Sequence, residues 1–326
     1  MKSPVERKNP DLSVVIPVYD SEAIFPELHR RLTAALKGVV ADYEILGVVD
    51  GCRDDSYRVI ADIARRDRRV KVLALSRNFG QQSAVTAGLH YARGNVVAVM
   101  DDDLEDPPEV LPTMLARMQE GFDVVYGVRK GRKRGFAHRL IYRTSYRVLK
   151  SIVDIDLPND AGDFAVMSRR VVNVLNDMPE RHRYLRGLRA WSGFEQTGIE
   201  YDREARFAGR PGYTARKWIV FAKDAVFSFS YKPLGFISVA GLAIALVGAL
   251  SGVLLILKKL TGYATPSWGP MVTVVLFFCG VQMLSLGIIG EYISRIYDEV
   301  KRRPTFLVRD AVGFEDEGAS DHDQSS

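Results

Sequence analysis

At 326 residues, with 47% hydrophobic and 26% charged residues, the chain is too long for one ordinary core, so a sizeable domain and a second region are expected. Its only cysteines, Cys52 and Cys279, exclude a disulfide framework and a cysteine zinc site and fit a reducing compartment. The net charge of +5 does not point to nucleic acid, because the basic residues cluster beside apolar stretches near the C-terminus, where anionic lipid is the simpler partner.

Residues 1–11 form a polar N-terminal tail, and the apolar run 12–19 is short and interrupted by Pro17, so no secretory signal is expected. Short β-branched runs then alternate with helical segments. The strands are expected at 12–19, 43–50, 70–76, 96–101 and 123–129, and the helices at 22–36, 54–66, 81–91 and 107–119. Asp106 reads as the N-cap of the last helix, with prolines in its first turn. The alternation predicts an α/β catalytic domain over residues 12–212 with a largely parallel sheet. Ligands of such sheets bind beyond the carboxyl ends of the strands. There the chain supplies Asp20 and Glu22, then Asp50, then Ser76, Arg77 and Asn78, then Asp101, Asp102 and Asp103, and then Arg129 with Lys130, Arg132, Lys133 and Arg134. Acids and bases gathered on one edge suit a phosphorylated ligand with a divalent cation.

The string VVAVMDDDLEDPPE is an apolar strand that ends in three aspartates. Carboxylates so crowded repel one another unless a hard cation neutralises them, and Mg2+ or Mn2+ typically takes one or two carboxylates plus substrate phosphates. Asp101 and Asp103 form a D-x-D pair, and Glu105 is spaced to add a third oxygen ligand. Further on, Arg139, Arg143 and Arg147 recur at every fourth residue, which stacks them on one helix face. With Arg134 they are candidate ligands of a lipid phosphate; a face that holds the domain against anionic headgroups is the alternative. Asp163 follows a loop and begins an apolar strand, placing another carboxylate near the same edge.

Residues 213–232 carry Trp218, Phe221, Ala222, Ala225, Val226 and Phe229 at helical spacing, which predicts amphipathic helices in the membrane interface, or a helix packed on the catalytic domain. A two-helix transmembrane hairpin is expected over 233–290. Its spans, 234–257 and 270–290, each offer about 20 uncharged residues, enough to cross roughly 30 Å of hydrocarbon. Lys217, Lys223, Lys232, Arg295, Lys301, Arg302 and Arg303 flank the pair, against Lys258 and Lys259 in the connection, so the catalytic domain and both termini are expected in the cytosol. Residues 291–326 form the cytosolic tail, which turns acidic after Pro304 and reads there as disordered.

The strings SVVIPVYDSE, VVDGCRDDS, LSRNFGQQSAVTAGL, MDDDLEDPPE and AGDFAVMSRRVV resemble, in order and spacing, the motifs of family 2 glycosyltransferases of the polyprenyl-phosphate branch. That branch includes dolichol-phosphate mannose synthase and the bacterial undecaprenyl-phosphate glucosyl and aminoarabinosyl transferases. The resemblance runs from about residue 12 to the end of the second span. It implies a GT-A fold, a divalent metal, inversion at the anomeric carbon, a nucleotide-sugar donor (UDP or GDP) and a polyprenyl phosphate acceptor. By the same resemblance Pro17, Tyr19 and Glu22 border the nucleotide and Asp50 contacts base or ribose. Asp101, Asp102 and Arg129 also belong to the donor site, Asp101 and Asp103 handle metal and diphosphate, and Asp163 lies beside donor sugar and acceptor, with Asp103 and Asp163 as the catalytic pair. Glu105 stands where many relatives carry Gln, and Val49 where many carry a second acid. Arg186, Gly187, Leu188 and Trp191 fall in an acceptor-side segment. Membrane lipid, a second copy of the chain and a flippase are the remaining candidate partners. A processive polysaccharide synthase would need more spans and a Q-x-x-R-W segment, which this chain lacks; a non-catalytic nucleotide-sugar-binding membrane protein is the other alternative.

Overall fold

The computed structural model describes residues 9–129, 161–181, 183–204, 232–261 and 268–314. The chain divides into two units. One comprises Met1–Arg139, Ile155–Thr214 and Pro304–Ser326, and the other Leu140–Asp154 and Ala215–Arg303.

The first unit begins β1 (Leu12–Val18), α1 (Phe25–Leu36), β2 (Tyr43–Val49), α2 (Ser56–Arg66), β3 (Val70–Leu75), α3 (Gln81–Tyr91) and β4 (Val96–Val99). A 3-10 turn at Pro108–Val110 leads into α4 (Leu111–Met118), followed by β5 (Val124–Arg129), β6 (Ala161–Ser168), α5 (Arg169–Asp177), α6 (Leu185–Trp191) and β7 (Gln196–Tyr201). Every residue of β1 and β2 is buried, as expected for strands covered on both faces. Phe25, Leu28, Leu32 and Leu36, at helical spacing, bury one stripe of α1. Phe25 and Ile60 meet Gly47 on the face covered by α1, α2 and α4, while α3 and α5 pack against each other on the opposite face.

The described strands form one eight-stranded sheet in the order β7-β5-β6-β4-β1-β2-β3 followed by a C-terminal strand, β8 (Val308–Val312). β3, β2, β1 and β4 are mutually parallel, β6 runs antiparallel between β4 and β5, and β7 is parallel to β5. The largely parallel α/β sheet therefore stands as expected. β1 leads out to β2 and β3 on one side, and the chain returns to β4 on the other. This reversal opens a crevice between the loops after β1 and β4.

Two elements differ from the sequence expectation. Residues 304–314 were expected to be disordered, but β8 pairs antiparallel with β3, Val312 opposite Val72, and Ser76 N–H donates to Leu307 C=O. The segment's own apolar residues Phe306 and Phe314 anchor it against His90 and Tyr91, which the acidic composition of the far tail masks. Asp106 does not cap a helix. It is buried and bonded to side chains, and no side-chain cap opens the 3-10 turn or α4.

A buried ion pair lies away from the crevice. Glu44 accepts from Ser13 Oγ at 2.5 Å, Lys71 Nζ at 2.6 Å and Arg93 N–H at 2.8 Å. Glu44→Ala removes the acceptor that these donors share and breaks the buried pair with Lys71, so about 3–5 kcal/mol of stability should be lost. A lower thermal unfolding midpoint would register the loss; an unchanged midpoint would contradict it.

The second unit contains α7 (Lys232–Leu260) and α8 (Trp268–Lys301). Among the described residues one stretch, Phe277–Lys301 of α8, is long and apolar enough to cross a membrane. α7 holds a shorter apolar stretch, Val239–Gly248. Residues 205–231, which include the expected interfacial helices, lie outside the described residues.

Candidate active site

The carboxyl ends of the parallel strands border a cleft of about 1050 Å3 within the first unit. Pro17, Tyr19 and Glu22 line it from β1, Asp50 from β2, Asp101, Asp102 and Asp103 from β4, Arg129 from β5 and Asp163 from β6. Strand geometry explains the convergence. β4 stops at Val99 opposite Val15, while β1 continues to Val18, so the aspartates after Met100 leave the sheet at the mouth of the crevice.

Each acid has its own surroundings. Asp102 ties the two loops across the crevice, its Oδ2 accepting from Tyr19 N–H at 3.1 Å and Ser21 Oγ at 2.5 Å. Burial pushes its carboxyl up to about 6, against the pull of those bonds. Asp50 accepts from Phe79 and Gly80 N–H at 2.7 and 2.8 Å and so fixes the entry to α3. Gly51, at φ +61°, makes that approach possible, since a Cβ there would fall 2.3 Å from Asn78 N. Glu22 accepts from Asp55 N–H at 2.9 Å and returns its own N–H to Asp54 at 3.1 Å, clasping the β1 and β2 loops together.

Asp101 lies at the centre. Its Oδ1 accepts from Gln81 Nε2 at 2.6 Å. Burial, then the neighbouring charges of Asp163, Asp106, Asp103 and Asp102, push its carboxyl up to about 8. A carboxyl held so unwillingly ionised among other acids matches the donor chemistry of a divalent cation site, and Asp103, one turn of the loop away, supplies a second carboxylate. Asp103 Oδ1 also accepts Glu105 N–H at 3.0 Å, a local bond that an amide could keep.

Glu105 is the expected third metal ligand. Its carboxylate is ion-paired with Arg203, and it is not among the residues lining the cleft. Between it and the D-x-D pair, Leu104 turns at φ +58° with its side chain buried.

Asp163 is gripped by Arg186, Nε to Oδ1 at 2.7 Å and Nη2 to Oδ2 at 2.8 Å. Burial alone would raise its carboxyl, but Arg186, with Arg189 and Arg129, outweighs burial and holds it below the ordinary carboxylate range. Arg53, Arg186 and Arg203 join Arg129 in lining the cleft, so four arginines stand in the wall with the acids. Arg186 lies in the acceptor-side segment noted in the sequence. Arg203 and Gln81 carried no signal of their own, the first because its position depends on where β7 ends, the second because an amide one residue after Gly80 reads as an ordinary helix start. Arg134, Arg139, Arg143 and Arg147 lie outside the described residues.

The family model described as glycosyl transferase family 2 matches residues 13–175. Glycosyltransferase YkcC of Bacillus subtilis is 40% identical over 93% of this chain and 94% of its own. Glycosyltransferase sll0501 of Synechocystis is 40% identical over 94% and 96%. The bactoprenol glucosyl transferase of Shigella phage SfII is 33% identical over 91% and 97%. A family match across the sheet that builds the cleft, together with such likeness over nearly the full length of these relatives, shows that the chain belongs to glycosyl transferase family 2.

Proposed function

We propose that the protein is an inverting GT-A glycosyltransferase that moves a hexose-type sugar from a UDP- or GDP-sugar to a polyprenyl phosphate at the cytosolic face of a membrane. The observation that carries the proposal is the row Asp101–Asp103 set against Arg129 and the Arg186-bound Asp163 in one cleft at the sheet's switch point. The relative named bactoprenol glucosyl transferase supports the acceptor class.

In this scheme the acceptor phosphate oxygen bonds to the anomeric carbon as the bond from that carbon to the diphosphate breaks, and the electron pair leaves with the nucleoside diphosphate. A phosphate monoester has a second pKa of about 6, so the acceptor is largely dianionic at neutral pH and needs no strong base. Asp163, kept ionised by Arg186, orients rather than deprotonates. Arg129 meets the donor diphosphate, where fixed positive charge favours the leaving group. Asp101 and Asp103 would hold Mg2+ or Mn2+, which when bound offsets diphosphate charge. Pro17, Tyr19, Glu22 and Asp50 border the nucleoside, and Asp102 holds the loop that carries Tyr19. The stripe Arg139, Arg143 and Arg147, with Arg134, receives the lipid phosphate. Incubating the purified protein with a panel of nucleotide-sugars, with and without undecaprenyl phosphate, tests the assignment: donor consumption should require the lipid, and consumption independent of it would contradict the acceptor.

The two-span hairpin belongs to the same proposal. α7 has 29 residues and α8 has 34, so each is longer than roughly 30 Å of hydrocarbon at about 1.5 Å per residue. Val239, Leu242, Leu246 and Leu250 stand exposed along α7, as Met271, Val275 and Met283 do along α8, a surface suited to lipid. Two spans would return the chain to the side it left, and the basic flanks support the cytosol as that side. A cysteine introduced between residues 261 and 268 should react with an impermeant thiol reagent on intact cells, whereas one introduced after residue 304 should not; the reverse pattern would overturn the topology.

A further inference from the structure

Arg129 reaches the cleft through a buried set of partners that none of the catalytic roles above uses. Asp106 is 1% exposed: Tyr201 OH donates to its Oδ1, which also lies 3.8 Å from Arg203 Nε, and Arg129 Nη2 donates to Oδ2 at 3.2 Å. Arg129 Nε also points at Tyr201 OH, at 3.4 Å. One phenol thus bridges the carboxylate and the guanidinium. Burial and Asp106 raise the Tyr201 phenol well above its ordinary range, so it stays protonated and can donate to Asp106 while accepting from Arg129.

The backbone is shaped around this bridge. Pairing of β5 with β6 shifts between Tyr126 and Val128, a local irregularity just before Arg129. Such shifts re-aim the side chains that follow them. Gly127 sits at the shift, and a Cβ there would come within 2.6 Å of the Tyr201 ring, so glycine lets the ring lie against β5 and the hydroxyl reach Asp106. Phe164, which also comes close to Gly127, meets the ring edge to face, with centroids 5.7 Å apart. A tyrosine whose ring needs a glycine to make room and whose hydroxyl serves both a buried carboxylate and a guanidinium of the cleft wall does more than fill a core.

We infer that Tyr201, with Asp106 behind it, is a positioning residue that sets the direction of the Arg129 guanidinium toward the diphosphate of the donor. The inference rests on the donor-site role of Arg129 proposed above. Without the hydroxyl, Arg129 keeps its charge and one oxygen of Asp106 but loses the bond that fixes its Nε edge, so its fork no longer presents a single geometry to an anion.

Titration calorimetry of UDP and of GDP, each with Mn2+, into the full-length detergent-solubilised protein tests this without any acceptor. Tyr201→Phe keeps the ring against Gly127 and Phe164 and should weaken binding of the preferred nucleotide about tenfold. In an Arg129→Ala background the same change should have no effect, because a positioning residue is silent once its target is gone. Asp106→Asn provides a second route to the same pair of results should Tyr201→Phe fold poorly. Wild-type affinity in the single variants would overturn the inference, and so would an equal loss with Arg129 present or absent, since a merely structural residue acts on both alike. If the wild-type protein bound neither nucleotide, the donor site itself would be wrong and the inference would fall with it.

Discussion

Asp103→Asn should lower sugar transfer by about a hundred- to a thousandfold, with the loss greatest at limiting divalent metal. The substitution removes one negative charge from the crowd around Asp101 while leaving the shape of the side chain. An amide oxygen can still accept the Glu105 N–H bond that Asp103 makes at 3.0 Å, so the loop has no reason to unfold. α7 and α8 carry none of these residues, and membrane-bound yield should stay at the wild-type level. Transfer measured against metal concentration, alongside a thermal unfolding scan, separates the alternatives. A folded variant with wild-type turnover at limiting metal would remove Asp103 from the site.

Asp163→Asn should cost about a hundredfold in turnover for a different reason. Here the carboxylate is the counter-charge for Arg186, and Arg189, almost fully buried on the same helix, leans on the same acid. Replacing it removes the anion that Arg186, in the cleft wall, binds and toward which the buried Arg189 is drawn. The pH dependence distinguishes an orienting acid from a proton acceptor. Asp163 has a folded-state pKa held below its unfolded value, so the stability it contributes is present above the unfolded value, near 4, and is lost only as pH falls through the lower folded value. Between about pH 5 and 9 it does not titrate, and the variant's rate profile should keep the wild-type shape at reduced height. Disappearance of an acid limb in the variant would instead make Asp163 the base.

Much of this site is legible in the order of residues along the chain. Strands β1 to β5 and the helices between them declare themselves through apolar runs and helical spacing, because a parallel sheet buried on both faces needs such runs. The acids at strand ends then follow from chain direction alone, and Pro17, Tyr19, Glu22, Asp50, Asp101, Asp102, Asp103, Arg129 and Asp163 all line one cleft. The features that local patterns miss depend on long-range pairing. β8 comes from the start of a tail whose far end is acidic and suits solvent, and only its partner β3 makes it a strand. Glu105 has the spacing of a ligand, and its pairing with Arg203, which arrives after β7, shows in no local pattern. Asp106 has the position of a helix cap, yet Tyr201, 95 residues on, claims it for Arg129. Local rules place a residue on an element; which distant side chain reaches it is decided by the order of strands in the sheet.

The most direct test of the proposed activity is the identity of both products. Purified protein, Mn2+, undecaprenyl phosphate and the nucleotide-sugar that the wild-type protein consumes should yield one lipid-linked sugar per nucleoside diphosphate released, with the lipid phosphate retained between sugar and polyprenol. Nucleoside monophosphate in place of diphosphate, or sugar found on an acceptor other than the lipid phosphate, would contradict transfer to a polyprenyl phosphate.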